Sequence, residues 1–201
     1  MKRNNQKEGR KKQIRDAALE CIVDLGYNNV TMKAISDHSG LSKGAIHHYF
    51  KSKEEILLSV LNELDSRLYS VVDDKLKDAK TSEDYLTNRI RGSFDAINSN
   101  QPLFVGLTAF LATVDKNNEY NKLIKKFFSK YRRLTRRGIE KGLEEGIYNK
   151  LNLNHMPSIL LALVFGLEMQ WRFDKEAFEI DEVVEVIEAM VLNFLKKDST
   201  V

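Results

Sequence analysis

Proline stands at only two of the 201 positions of this chain, Pro102 and Pro157, and each opens a helical run rather than interrupting one. A proline inside a helix removes a backbone hydrogen bond and clashes with the preceding turn, whereas in the first turn it is tolerated. Long stretches are therefore free to be helical. Glycine is also sparse, with ten in all. An all-β chain needs turn formers at short, regular intervals, and this one does not carry them. The expected fold class is all-α.

Apolar residues make up 42% of the chain and charged residues 30%, enough apolar surface for a core and too much for a disordered polymer. The single cysteine, Cys21, excludes an internal disulfide framework and a multi-cysteine zinc site, and fits a reducing compartment. The start, Met1 to Glu8, has no apolar stretch behind its charges, so no signal peptide is expected. The longest apolar run, Ile159 to Phe165, is far shorter than the ~20 residues that span a bilayer. A cytoplasmic protein without a membrane anchor is expected.

The net charge of +3 is unevenly placed. Residues 1–53 carry eleven Lys and Arg against five Asp and Glu, an excess of +6, while the remainder carries twenty-one against twenty-four. A small basic segment joined to a larger, slightly acidic one is the asymmetry of a polyanion-binding module attached to something else. The division predicts a first domain over 1–53, with a basic tail, and a second over 54–201.

Helical periodicity runs almost throughout. Ile14, Ala18, Cys21, Ile22 and Leu25 form one face of a helix from about Arg10 to Leu25, which makes Cys21 a packed thiol, and Gly26 follows as a C-terminal cap. Thr31 caps a short helix over Met32 to Ser39, and Ser42 caps another that ends near Tyr49-Phe50. Ser52 with Glu55 reads as a capping box ahead of a long helix towards Lys80. Further helices are expected from Ser82 as a cap to Asn98, Pro102 to Val114, Glu119 to Glu145, Pro157 to Asp174, and Asp181 to near Lys197.

The segment from Thr31 to Phe50 has the anatomy of a helix-turn-helix. Two helices crossing steeply need a small residue at their closest approach, a glycine in the turn and apolar residues between them, and Ser36, Gly40 and the set Ile35, Leu41, Ile46 supply these. With Leu41 and Ile46 inward, Lys43, Gly44, His47 and His48 share the outer face of the second helix, where lysine and histidine can donate to base edges and glycine permits close approach. Thr31, Tyr49 and Lys53 sit at helix ends, suited to phosphate oxygens. A metal site at His47-His48 is disfavoured, because adjacent helix positions diverge by ~100° and no cysteine or i+4 carboxylate is near. Neither a phosphate-binding glycine loop, a zinc-protease motif nor Gly-x-Ser-x-Gly occurs, so no catalytic residue, cofactor or enzymatic activity is expected.

Residues 10 to 61, above all Gly26-Tyr27, Val30-Thr31 and the run from Leu41 through Tyr49-Phe50-Lys51-Ser52-Lys53 to Leu57, resemble the DNA-binding domain of TetR/AcrR-family transcriptional regulators. Ser36 stands where that family usually has alanine, and Val30 where threonine is common. The resemblance implies an all-helical homodimer of nine or so helices, three of them in the DNA-binding domain and the rest in a larger ligand-binding and dimerisation domain. It places phosphate and base contacts on Thr31, Lys33, Ser42, Lys43, Gly44, Ala45, His47, His48, Tyr49 and Lys53.

The second domain lacks a comparably sharp motif. The helix opened by Pro157 is apolar nearly all round, and with Val183, Val184, Val186, Ile187, Met190, Val191 and Phe194 of the last helix it is expected to form a four-helix dimer interface. Gly166 to Trp171 resembles, over a short stretch, BetI-like and fatty-acid-responsive members of the family. A pocket for an apolar or amphipathic effector is expected along Phe104, Leu107, Phe110, Leu111, Phe127, Phe128, Tyr131, Met169 and Trp171. Lys122, Lys126, Lys130, Arg133, Arg137 and Lys141 form a basic stripe down one helix, read first as a solvated face and second as an anion site. The functional expectation is a ligand-responsive repressor of a palindromic DNA operator. The alternative is a sequence-tolerant architectural DNA binder without an inducer.

Overall fold

The computed structural model describes residues 2–99, 101–111, 118–149 and 154–196. Among these residues the secondary structure is nine α-helices and one 3-10 turn. The helices are α1 (Lys2–Leu25), α2 (Met32–Ser39), α3 (Lys43–Tyr49), α4 (Lys53–Leu76), α5 (Ser82–Asn98), α6 (Gln101–Leu111), α7 (Asn118–Glu144), α8 (Met156–Phe173) and α9 (Ile180–Leu195). None is long and apolar enough to cross a membrane.

Backbone contacts divide the chain into two compact units. One comprises Met1–Arg67 with Asn100–Lys125, and the other Leu68–Ser99 with Lys126–Val201, so the division falls inside α4 and inside α7.

In the first unit, α1 begins at Lys2 rather than near Arg10. Lysine, arginine, glutamine and glutamate are good helix formers, and Arg10 to Gln13 at 2.8 Å and Lys12 to Asp16 at 2.5 Å add pairs one turn apart. Ile14, Ala18, Cys21 and Ile22 are buried as the spacing requires, and burial pushes the Cys21 thiol up to about 11. Charge also ties α1 to α4: Arg67 reaches Asp16 at 3.0 Å and Glu63 at 2.8 Å. α6 approaches both helices closely at Gly106, where an added Cβ would lie 2.8 Å from Leu19 and 3.0 Å from Leu64. The helix ends at Leu111, and its expected end near Val114 lies outside the described residues.

In the second unit the N-terminus of α5 differs from expectation in its chemistry. Thr81, not Ser82, is the cap, in a complete box with Asp84: Thr81 Oγ1 accepts from the Asp84 amide at 3.0 Å, and Asp84 accepts from the Thr81 amide at 3.1 Å. Ser82 is buried instead and donates to Glu145 beyond the end of α7 at 2.6 Å. α7 stops before Gly146, whose φ of 77° is left-handed backbone that glycine adopts without strain. The chain then turns so that Tyr148 covers Gly142 and Asn149 donates its amide to Leu195 at 2.8 Å, closing an antiparallel bridge with Lys196 after α9. α9 starts at Ile180 behind Glu179, one residue before the expected Asp181; its expected end at Lys197 lies outside the described residues. Arg91 on α5 grips Glu188 on α9 through two nitrogens at 2.6 and 2.7 Å.

Candidate nucleic-acid interface

Local chemistry fixes the pair α2 and α3. Thr31 Oγ1 accepts from the Ala34 amide at 3.0 Å, and Ser42 Oγ accepts from the Ala45 amide at 3.2 Å, so each short helix has a side-chain cap. Gly40 ends α2 with φ 66°, the left-handed turn that lets α3 start at once. Ser36, on the inner side of that turn, donates to the Leu41 carbonyl at 2.6 Å, and Gln13 of α1 donates to the Ser39 carbonyl at 2.8 Å. A small hydroxyl here does what alanine cannot, tying α2 to the turn that follows it. Ile35 and Ile46 are fully buried beneath the pair, and Leu41 is half-buried.

What this scaffold leaves outside is the outer face of α3. Lys43, Gly44, His47 and His48 are all exposed, as are Thr31, Lys33 and Ser42, while Ala45 and Tyr49 are half-buried. The His48 ring meets Tyr49 edge-on at 5.1 Å, which orients both at the end of α3. Lys53 is half-buried, and its Nζ donates to the Val30 carbonyl at 3.1 Å. Spacing alone does not disclose that bond, since its partners are 23 residues apart. Three donors on one ammonium leave two for a phosphate.

The start of α4 is also more closely held than a simple box. Ser52 accepts from the Glu55 amide at 3.2 Å, but Glu55 reaches back to the Lys51 amide, at 2.6 Å, rather than to that of Ser52. Among the described residues there is no group of three side chains able to hold a metal ion.

Residues 14–60, the segment just described, match the family of bacterial regulatory proteins of the tetR type. This segment is a TetR-type DNA-binding domain. Among TetR-type relatives, the HTH-type transcriptional regulator BetI of Rhizobium meliloti is 31% identical over 61% of this chain and 61% of its own length. The fatty acid metabolism regulator protein of Bacillus subtilis is 26% identical over 62% of this chain and 65% of its own. The matched stretch is thus under two thirds of either relative. Two solved structures share the fold: a transcriptional regulator from Saccharomonospora viridis in complex with choline, and FadR from Bacillus subtilis in complex with stearoyl-CoA. The first has a TM-score of 0.82 at 18% identity over 93% of this chain and 97% of its own. The second has 0.74 at 20% over 92% and 98%.

The residues expected to line an effector pocket fall into two sets. Phe104, Leu107 and Phe110 are buried and Leu111 half-buried in the first unit, where Phe110 meets Tyr27 at 5.3 Å and Tyr120 at 5.7 Å. In the second unit Phe127 and Tyr131 are buried and Phe128, Met169 and Trp171 half-buried. Here Phe127 touches Tyr131 at 4.5 Å and Phe128 at 5.5 Å, and Phe165 joins them at 6.1 Å from Phe127. Two ionisable groups absent from the expected set, Arg89 and Glu168, are fully buried in this unit. A sequence signal for both exists: Arg89 falls in register with Leu86, Ser93 and Ile97, and Glu168 with Leu161 and Val164, on the inward stripes of their helices.

The basic stripe of α7 is a helix face partly engaged by the protein itself. Lys122 pairs with Glu119 at 2.7 Å, Lys130 lies 3.8 Å over the Tyr69 ring, and Lys141 donates to the Lys80 carbonyl at 2.7 Å. Lys126, Arg133 and Arg137 are exposed.

Proposed function

We propose that the protein is a homodimeric, ligand-responsive transcriptional repressor acting in the cytoplasm, with residues 1–53 reading DNA and residues 54–201 binding effector and partner subunit. The observation that carries the reading is a short helix, capped at both the preceding turn and its own start, that turns Lys43, Gly44, His47 and His48 outward together. In a major groove Lys43, His47 and His48 meet base edges beside Gly44, while Thr31, Lys33, Ser42, Tyr49 and Lys53 hold phosphates and sugar, with Ala45 in apolar contact. A two-fold protein reads a two-fold operator, with half-sites about 34–36 Å or a multiple apart.

The partner subunit covers α8 and α9. Ile159, Val186, Met190 and Phe194 are 49%, 57%, 57% and 52% exposed, an apolar surface of the kind that marks an interface. The effector is an apolar or amphipathic small molecule held in the second unit on Phe127, Phe128, Tyr131, Met169 and Trp171. Choline and stearoyl-CoA in the two related structures support a small-molecule effector of some kind. Such an effector releases the operator only if it binds more tightly to the form with the wrong helix spacing.

Footprinting of the purified full-length protein on genomic DNA fragments, with and without a metabolite extract, tests this. A sharp two-fold footprint that a metabolite abolishes is the expected result. Cooperative coverage of any DNA, insensitive to every metabolite, would mark an architectural binder instead.

A further inference from the structure

Arg89, on α5, is 0% exposed and, among the described residues, has no carboxylate beside it. Its Nη1 donates to Ser93 one turn on, and its guanidinium faces the Tyr131 ring at 5.3 Å. Among the described residues Nε and Nη2 have no acceptor. Those two nitrogens lie along one edge of the guanidinium and present parallel N–H groups, the fork that a carboxylate or phosphate accepts side-on. Burial lowers the Arg89 pKa to about 10, so the group remains a cation at neutral pH.

A buried cation without an anion is a costly thing for a core to hold, and replacing such a group by apolar side chains often raises stability. Its surroundings are aromatic. Tyr131 touches Arg89 on one side and Phe127 on the other, Phe127 touches Phe165, and Tyr69 meets Tyr131 edge-on at 6.3 Å. Tyr131, which the Arg89 guanidinium faces, is thus joined to further apolar rings on both sides. Glu168, one turn beyond Phe165 on α8, is also 0% exposed, and among the described residues neither of its oxygens finds a donor, Arg89 included.

We propose that Arg89 is the anchor for an anionic head group on the effector, taken through Nε and Nη2, with the effector's apolar body lying on Tyr131, Phe127 and Phe165. This rests on the reading of the second unit as the effector domain and adds to it the chemical class of the effector: an amphipathic acid, carboxylate or phosphate. The exposed stripe on α7 is not required.

The test uses full-length protein and three probes with the same alkyl chain, decanoate, decyl phosphate and decanol, followed by thermal melting and by calorimetry. At least one anion is expected to raise the melting temperature of the wild type and to bind about tenfold or more tightly than decanol. Arg89→Met and Arg89→Lys should both lose that preference, the lysine because it keeps the charge and lacks the fork. Unliganded Arg89→Met should melt no lower than wild type; if it does not fold, Arg89→Lys carries the comparison. The proposal is overturned if decanol binds as well as both anions, if neither anion binds, or if Arg89→Lys keeps the full preference. Operator binding is measured on the same samples. A neutral or cationic compound that releases the operator while the anions fail would sink the Arg89 assignment and leave the regulator standing. Anion preference lost with Arg89 in a protein that ignores DNA would do the reverse. Which anion binds separates a carboxylate effector from a phosphorylated one.

Discussion

The ammonium of Lys53, at the start of α4, donates to the carbonyl of Val30, which precedes the first helix of the helix-turn-helix. One residue therefore both faces the proposed phosphate backbone and fastens α4 to the entry of α2. Lys53→Ala is expected to weaken binding to all DNA sequences alike, with a salt slope shallower by about 1. It also leaves a carbonyl without its donor, for a stability loss of about 1 kcal/mol. Lys43→Ala and His47→Ala, on the outer face of α3, are expected to relax base preference, at a cost of about 1–3 kcal/mol for the preferred site, and to leave stability unchanged. Binding titrations over a salt series, on specific and random duplexes, separate the two classes; equal loss of specificity in all three variants refutes the division.

Gly142 gives a prediction whose sign runs against helix propensity. A Cβ there would lie 2.0 Å from the Tyr148 ring, and the Gly142 carbonyl accepts from the amides of Ile147 and Tyr148. Alanine normally favours a helix over glycine by about 1 kcal/mol. Here it must displace the ring, and Gly142→Ala is expected to destabilise by about 1–3 kcal/mol. Gly9→Ala, in α1 with nothing within 4 Å, is the control that should gain up to about 1 kcal/mol. Urea unfolding of the two variants reads both values, and a stable Gly142→Ala would show that Tyr148 yields freely.

Glu168 sets a pH dependence. Burial raises its pKa from 4.5 to about 7, against a smaller opposing effect of Arg172. The folded chain therefore holds this proton more tightly than the unfolded chain does. Between about pH 4.5 and 7 the folded state binds more protons, so the Glu168 contribution makes stability fall as pH rises, by an amount on the order of 3 kcal/mol across the window. Glu168→Gln should flatten that part of the curve and be the more stable protein above pH 7. Denaturation of both proteins at a series of pH values checks this; parallel curves contradict it.

The exposed apolar face of α9 predicts an assembly defect. Met190→Asp and Phe194→Asp place a charge on a surface proposed to be covered by the partner, and sedimentation velocity should show monomer at concentrations where the wild type is dimer. Their helical content should be unchanged, because both side chains lie outside the subunit's own core. A dimer that survives both substitutions places the interface elsewhere.

The helix-turn-helix was legible because each of its determinants is local. A cap acts within three residues, a left-handed glycine within one, and the buried pair Ile35 and Ile46 follows from helical spacing. α1 began earlier than expected because its apolar stripe starts at Ile14, whereas the upstream helix rests on charged and amide residues that carry no stripe. The cap of α5 was misplaced by one residue for a tertiary reason: Ser82 is a good cap by type, but Glu145, 63 residues away, takes its hydroxyl. The burial of Arg89 and Glu168 runs against residue type, because charged residues in helices are usually solvated. Their register gave a sign of burial, yet nothing in spacing alone tells whether a partner arrives from another helix.

Cys21 has a practical consequence for labelling. It is the only thiol in the chain, it is wholly enclosed by α1's packing, and its acidity is suppressed to about 11, so maleimides and methanethiosulfonates find no nucleophile on the native surface. A cysteine introduced at an exposed position such as Asp37 would then be the sole site of labelling. In the proposed dimer, paired spin labels at that site would report the separation of the two helix-turn-helix units directly, with and without the proposed effector, without prior removal of a native cysteine.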